Sequence, residues 1–165
     1  MEEIINEKPI PMVVTKVNDS SMFVTVNLDI TKTDEGWTCV SITRYLDHYP
    51  QQEDLMKIVN DYINTKTDER ILTGLRWRDL PVYLSTENQI NIKAAYDLAF
   101  QTGGAMLPIR FKLGEDEKGM PVYFDFEDMA TFGDFYTNCV AWIQKCINDG
   151  WEEKDGFDYD ELLNQ

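Results

Sequence analysis

The sequence predicts an α+β protein in which antiparallel β-hairpins pack against helices. Three observations indicate this class: a period-two apolar pattern near the N-terminus, helical apolar spacing in two later segments, and hairpins that alternate with helices. A chain of 165 residues that is 43% hydrophobic has enough apolar side chains for a real core. We expect two parts, residues 1–68 and residues 69–165.

The first part is predicted to be a β-rich N-terminal region that ends in a helix. Residues 1–11 hold two prolines and no periodicity, which indicates an extended arm. The runs MVVTKV and SMFVTVNLDI flank an Asn-Asp turn and predict a hairpin, and WTCVSITRYL predicts a third strand. Residues 49–66 have helical apolar spacing, and NTKTDER (residues 64–70) is interpreted as a linker. The buried face of the second strand is expected to consist of Met22, Val24, Val26, Leu28 and Ile30.

The second part is predicted to have the order ββαββα. LRWRDL lies in one hairpin, and LPIRFKL with PVYFDF forms another. Between them, Thr86 and Gln89 form a capping box, with Ser85 as the other candidate cap, and Gly103 and Gly104 end the helix. A narrow face of small residues is expected to lie close to the sheet, and it consists of Ile90, Ala94 and Leu98 with Ala95 and Ala99 on a neighbouring row.

The last long helix is predicted over residues 127–150, with Gly150 as its C-cap. The tail that follows mixes aromatic and acidic residues, so packing back on the domain and docking to a partner both remain open. The broad apolar face of the helix is expected to include Phe132, Phe135, Tyr136, Cys139, Val140, Trp142, Ile143, Cys146 and Ile147.

The charge of the chain argues against nucleic-acid binding. The net charge is −15, and residues 115–165 hold 14 acidic and 3 basic side chains. A phosphate backbone requires the opposite sign. The sequence has no apolar run of the roughly 20 residues that a membrane helix needs, so no membrane contact is expected.

The sequence contains no recognisable catalytic, cofactor or metal motif. His48 is the single histidine, and the three cysteines have no CxxC spacing, so we interpret them as structural thiols in a reducing compartment. No P-loop, HExxH or EF-hand pattern occurs. The polar start of the second-part helix could hold an anion, but capping accounts for it. We therefore expect a non-enzymatic protein without a cofactor.

Aromatic and arginine side chains are the candidate partner contacts, because Trp, Tyr and Arg are enriched at the centres of protein interfaces. In LRWRDL, strand alternation sends Trp77 to one face and both arginines to the other, so a core tryptophan with solvated arginines is the competing interpretation. The tail supplies the remaining aromatic residues. The candidate contacts are Arg76, Trp77, Arg78, Trp151, Phe157 and Tyr159.

Residues 70–155 resemble a known family through LRWRDLPVYLSTENQINIKAAYDLA, LPIRFKL, PVYFDFEDMATFGDFY and AWIQKCINDGW. The order and spacing of these segments are similar to those of a small domain of unknown function that is encoded near tail-fibre and baseplate genes of bacteriophages and prophages. That domain often forms the C-terminal part of tail-fibre-associated or assembly proteins. The resemblance implies no catalytic residue.

The leading hypothesis is a bacteriophage tail or tail-fibre-associated structural or assembly protein. It would bind other tail or fibre proteins, in the virion or in the host cytoplasm during assembly, and self-association is left open. The arm and the β-rich front suit strand addition to a partner. The alternative is an acidic inhibitor that mimics nucleic acid and blocks a host protein, motivated by the charge of residues 115–165.

Overall fold

The structure, a computed structural model, confirms the α+β class and describes residues 5–163, apart from the side chain of Glu161. Residues 1–4 of the predicted arm and the last two residues of the tail lie outside the described residues. The strands are β1 (Met12–Lys16), β2 (Met22–Thr33), β3 (Gly36–Leu46), β4 (Leu75–Trp77), β5 (Leu80–Val82), β6 (Ile109–Glu115) and β7 (Pro121–Phe126). The helices are α1 (Gln52–Thr73), α2 (Thr86–Gln101), α3 (Met129–Asp155) and α4 (Asp160–Leu163).

The chain divides into two compact units. Unit 1 comprises the residues up to Tyr62 together with those from Lys154 onward, and unit 2 is Ile63–Glu153.

The linker predicted at residues 64–70 is wrong, because α1 continues through it to Thr73. Contacts inside unit 2 stabilise this part of the helix: Lys66 Nζ lies 2.9 Å from Glu153 Oε1, and the indole of Trp142 donates to the carbonyl of Arg70. Packing here outweighs the low helix propensity of Asn, Thr and Asp.

Unit 1 contains a three-stranded antiparallel sheet in the order β1-β2-β3. The predicted alternation in β2 is confirmed for Met22, Val24, Val26 and Leu28, all of which are buried. Ile30 is only half-buried, because the register shifts between Leu28 and Thr31, and Asp29 adopts a positive φ of 49°. A bulge of this kind interrupts the period of two and turns later side chains away from the core face.

The two hairpins of unit 2 enclose an aromatic core. β4 pairs with β5, and β6 pairs with β7, both antiparallel. The first hairpin turns through Arg78 and Asp79 with φ values of 49° and 63°, which fits a tight two-residue turn with two positive φ angles. Phe126, Phe132 and Phe135 are fully buried, and the ring centroid of Phe126 lies 4.8 Å from that of Phe132 and 5.0 Å from that of Phe135.

Helix α2 begins one residue earlier than the preferred capping box would place it. Ser85 is the N-cap, and the backbone N–H of Asn88 donates to its hydroxyl oxygen at 3.2 Å. Gln89 donates to the carbonyl of Leu84 rather than to the cap. The predicted stop is confirmed: the N–H groups of Gly103 and Gly104 donate to the carbonyls of Phe100 and Ala99, and both glycines have positive φ.

The face of α2 predicted to lie close to the sheet is wrong for its central row and correct for the neighbouring row. Ile90, Ala94 and Leu98 are exposed, whereas Ala99 is buried and Ala95 is half-buried in the core of unit 2, together with Ile92. Both faces hold apolar residues at helical spacing, so the apolar pattern alone did not distinguish them. The hairpins present their cluster of rings to the side that carries Ile92, Ala99 and the half-buried Tyr96.

Helix α3 does not end at Gly150, so that predicted C-cap is wrong. The helix continues to Asp155, and Gly150 is buried. A Cβ atom at this position would lie 2.5 Å from Thr67 Oγ1 of α1, so the glycine allows the two helices to approach closely. Most of the predicted apolar face of α3 is buried or half-buried, but Val140 is exposed.

Candidate protein-binding surface

The hairpin residues predicted to contact a partner are divided between core and surface. Trp77 is buried, and its indole N–H donates to Asp134 Oδ2 at 2.8 Å. Arg76 is exposed. The predicted alternation fails for Arg78, which occupies the turn and lies over the Trp77 ring at 4.5 Å from its centroid. The tryptophan therefore acts as a core anchor, as in the competing interpretation of this motif.

The aromatic residues predicted near the C-terminus are also in different environments. Trp151, on α3 of unit 2, is exposed. Phe157 and Tyr159, in unit 1, are half-buried, and their ring centroids are 4.8 Å apart. Burial raises the pKa of the Tyr159 hydroxyl above its ordinary value. The nearby Leu162 is buried, so this segment contributes a side chain to a packed region.

His48 of unit 1 lies between two carboxylates at the start of α1. Its Nδ1 is 2.8 Å from Asp47 Oδ1, and its Nε2 is 2.8 Å from Asp54 Oδ2. Asp54 Oδ2 also accepts the backbone N–H of Gln51 at 2.9 Å. Hydrogen bonds to Asp47 and then Asp54 raise the pKa of His48, and those from Gln51 and then His48 lower the pKa of Asp54. The arrangement supports the first turn of the helix.

We expect the substitution His48→Gln to destabilise the protein more at low pH than at high pH. The folded-state pKa of His48 is raised above its ordinary value of 6.5, so its contribution is present below that value and is lost as the pH rises through the folded-state pKa. Thermal midpoints of the wild type and the variant at about pH 5.5 and about pH 8.5 would measure this. A midpoint difference that is the same at both pH values would contradict the expectation.

Residues 5–163 contain no candidate metal group or membrane-spanning helix, and two of the three thiols are buried. Within residues 5–163, no group of three or more His, Cys, Asp or Glu side chains could hold a metal ion. Cys139 and Cys146 are buried, and burial raises the pKa of Cys139 to about 12, which disfavours the reactive thiolate. In this same part of the chain, no helix is long and apolar enough to cross a membrane.

Unit 2 has an open cleft of about 710 Å³ between β5, the start of α2 and β6. Several of its polar side chains have partners within the unit. Lys112 Nζ lies 2.7 Å from Glu115 Oε1, and the side-chain amide of Asn88 donates to the carbonyl of Tyr83 at 2.9 Å. The polar start of α2 therefore serves capping and loop closure.

The outer face of the unit 1 sheet carries exposed apolar side chains in register across its three strands. Thr15 pairs with Phe23, and Phe23 pairs with Tyr45. The Phe23 and Tyr45 rings meet edge to face with centroids 5.6 Å apart, and both are exposed. Val13, one row along, is exposed as well. Solvent-exposed aromatic pairs of this kind are typical of surfaces that another protein covers.

Strand β1 forms an edge of the same sheet. The N–H of Asn27 donates to the carbonyl of Pro11, and that of Val17 to the carbonyl of Ser21, so the odd-numbered residues of β1 bond to β2. Met12, Val14 and Lys16 therefore point their N–H and C=O groups away from β2. Within residues 5–163 no further strand pairs with that side. We call this edge, with Val13, Phe23 and Tyr45, the open-sheet surface.

Sequence reasoning placed the strand but did not select these aromatic residues. Phe23 lies between Met22 and Val24, at a position where the period-two pattern of β2 places residues on the exposed face. An aromatic residue on that face was the signal in the sequence that could have identified it. Tyr45 is 22 residues further along the chain, so its contact with Phe23 follows only from the register between β2 and β3.

Comparisons with protein-family models, with curated proteins and with solved structures give no match to this chain.

Proposed function

We propose that this protein binds other proteins as a structural or assembly component of a bacteriophage tail or tail-fibre region. The resemblance of residues 70–155 to the tail-fibre-region domain supports the phage assignment. The open-sheet surface is the observation that carries protein binding, because it combines exposed apolar side chains with a strand edge that no strand of residues 5–163 pairs with. An exposed sheet edge recruits an extended segment of a partner through main-chain hydrogen bonds.

The expected partner segment is an extended strand that adds to β1. Its main chain would bond to the outward groups of Met12, Val14 and Lys16. Every second side chain of the partner strand would then lie beside Val13 on the outer face of the sheet. These side-chain contacts would give specificity, and the backbone hydrogen bonds would give affinity. The edge is five residues long and ends in a lysine, which limits uncontrolled edge-to-edge pairing.

Mass spectrometry of purified virions and a pull-down with the tagged protein test the phage assignment. We expect the chain in the particle, or a tail or fibre protein in the pull-down. If the chain is missing from virions and no tail or fibre protein is recovered, both versions of the proposal are refuted.

The substitution Tyr45→Asp should weaken binding of the recovered partner at least about tenfold, because it removes an exposed ring from the outer face of the open-sheet surface and adds a charge. The thermal midpoint should change little, since Tyr45 is 56% exposed. Tyr123→Asp is the matched control, because Tyr123 is also 56% exposed but lies in unit 2. Equal losses of affinity in the two variants would place the binding site elsewhere.

The alternative function, mimicry of nucleic acid, stays a prediction. Several acidic side chains of residues 115–165 are engaged in ion pairs, among them Asp125 with Arg110 and Asp149 with Lys145. Competition with DNA for a nucleic-acid-binding host protein is the measurement that would favour it.

A further inference from the structure

The outer face of the unit 1 sheet carries no charged side chain across three rows of residues. Residues that lie directly opposite each other in an antiparallel pair share a face, so the pairing of β1, β2 and β3 defines these rows. All of their members are exposed or half-buried. We call the following residues the uncharged face: Thr15, Phe23 and Tyr45 in the first row, Val13, Thr25 and Thr43 in the second, and Asn27 and Ser41 in the third.

The charges of these strand segments lie on the opposite face instead. Lys16 pairs with the buried Met22, and Arg44 pairs with the buried Val24. The solvent side of an antiparallel sheet with one buried face normally carries the polar residues. Charged residues make up 27% of this chain, yet the uncharged face includes none of them. Depletion of charge together with exposed aromatic rings is the composition of the centre of a protein interface.

Polar side chains in the middle of the uncharged face are hydrogen-bonded to one another. Thr25 Oγ1 lies 2.9 Å from Thr43 Oγ1, and Ser41 Oγ donates to Asn27 Oδ1 at 2.6 Å. The side-chain amide of Asn27 also donates to the carbonyl of Ile10 at 2.6 Å. A polar group that a partner covers costs binding free energy when it is left without a hydrogen bond. These four side chains each have a partner already, which lowers the cost of covering them.

The same bonds indicate the chemistry of the molecule that covers this face. A charged ligand would require an opposite charge, which the face does not supply. A ligand rich in hydroxyl groups would require free donors and acceptors, whereas those of Thr25 and Thr43 bind each other. The contacts that the face offers are apolar ones to Val13, Phe23 and Tyr45, and these suit an uncharged protein surface.

The uncharged face is continuous with the β1 edge. Three strands about 4.8 Å apart and three rows about 6.8 Å apart give a face of about 14 Å by 20 Å. This is less than the roughly 800 Å² that each partner contributes to a standard interface. Because β1 borders the face, a partner that adds a strand to its edge can continue over the face without interruption.

We propose that the protein partner bound at the open-sheet surface also covers the uncharged face, with an uncharged and largely apolar surface of its own. This inference rests on the proposed function and names the chemistry of its partner. The contact extends from the β1 edge across β2 to Thr43 and Tyr45 on β3.

Calorimetric titration of the purified chain with the tail or fibre protein identified in the pull-down tests this inference. Thr43→Lys should raise the dissociation constant at least about tenfold, because it places a charge in the middle row of the face. Thr43→Val should change it less than about threefold, since the face stays uncharged. Thr137→Lys is the matched control, because Thr137 is an exposed threonine on α3 in unit 2. Thermal midpoints establish that each variant is folded.

The substitution Val14→Pro separates this inference from the proposed function. The N–H of Val14 points away from β2, so proline removes a bond to an added strand and none to β2. If Val14→Pro weakens binding and Thr43→Lys does not, the partner contacts the edge alone; the inference is then overturned and the proposed function stands. If neither substitution weakens binding, or no tail or fibre protein binds the chain, both fail.

Sedimentation of the chain alone tests a second copy as the occupant of the uncharged face. We expect Thr43→Lys to leave the sedimentation of the isolated chain unchanged. Self-association that Thr43→Lys abolishes would identify a second copy on this face and overturn its assignment to another protein.

Discussion

Replacing Phe126 by alanine is expected to lower the free energy of unfolding by about 3–5 kcal/mol, the largest effect of any substitution proposed for this protein. Phe126 is fully buried at the end of β7, and its ring lies within contact of those of Trp77, Phe111, Phe124, Phe132 and Phe135. Truncation removes apolar surface from the core and leaves a cavity among rings that relax only in part.

Chemical denaturation of the purified variant measures this effect, and Phe100→Ala is its control. Phe100 is 71% exposed on α2, so its truncation should cost less than about 1 kcal/mol. Similar losses for the two variants would mean that Phe126 is not the centre of the unit 2 core. Unit 2 contains both the β4–β5 and the β6–β7 hairpin, which share this core. We therefore expect Phe126→Ala to abolish the folded state of unit 2 under mild denaturation.

The substitution Gly150→Ala is expected to destabilise the protein by about 1–3 kcal/mol, although alanine favours a helix interior by about 1 kcal/mol over glycine. The added Cβ would lie 2.5 Å from Thr67 Oγ1, far inside van der Waals contact, so either the Thr67 side chain must rotate or α1 and α3 must move apart. Gly133→Ala is the matched control on the same helix. Its Cβ would meet its nearest neighbour, the Tyr96 hydroxyl, at 3.6 Å, which is an ordinary contact.

Denaturation of the two glycine variants should therefore give changes of opposite sign. Gly133→Ala should gain roughly 0.5–1 kcal/mol from helix propensity, whereas Gly150→Ala should lose stability. Combining Gly150→Ala with Thr67→Ala should recover much of the loss, since it removes the atom in the way. Stabilisation by both single glycine substitutions would show that the two helices are not in close contact at Gly150.

Short-range patterns in the sequence were sufficient to predict the strands, helices and helix ends that depend only on neighbouring residues. The period of two in β2 identified its buried face as far as Leu28, and adjacent glycines identified the stop of α2. The order ββαββα followed from hairpin and helix patterns in the same way. These features depend on a few neighbouring residues, whose backbone preferences and alternation act over one or two turns.

The predictions that proved wrong concern positions where contacts between residues far apart in the chain decide the local structure. The sequence NTKTDER has low helix propensity, yet it is helical because Lys66 and Arg70 contact α3 within unit 2. Gly150 looks like a helix stop, yet it is an interior residue because Thr67 of α1 leaves no room for a side chain. In both cases a contact between segments far apart in the chain outweighs a preference of about 1 kcal/mol or less per residue.

The same distinction between short-range patterns and long-range contacts applies to the candidate surfaces. The α+β class, the strand order of the hairpins and the strongly acidic character follow from the chain alone, because composition and short-range periodicity are properties of the chain. Contacts between distant segments place Trp77 in the core, make Phe23 and Tyr45 an exposed pair, and leave Ile90, Ala94 and Leu98 facing solvent. An apolar pattern indicates which faces of a helix or strand are able to be buried. The packing of the other segments decides which of those faces is buried in the folded protein.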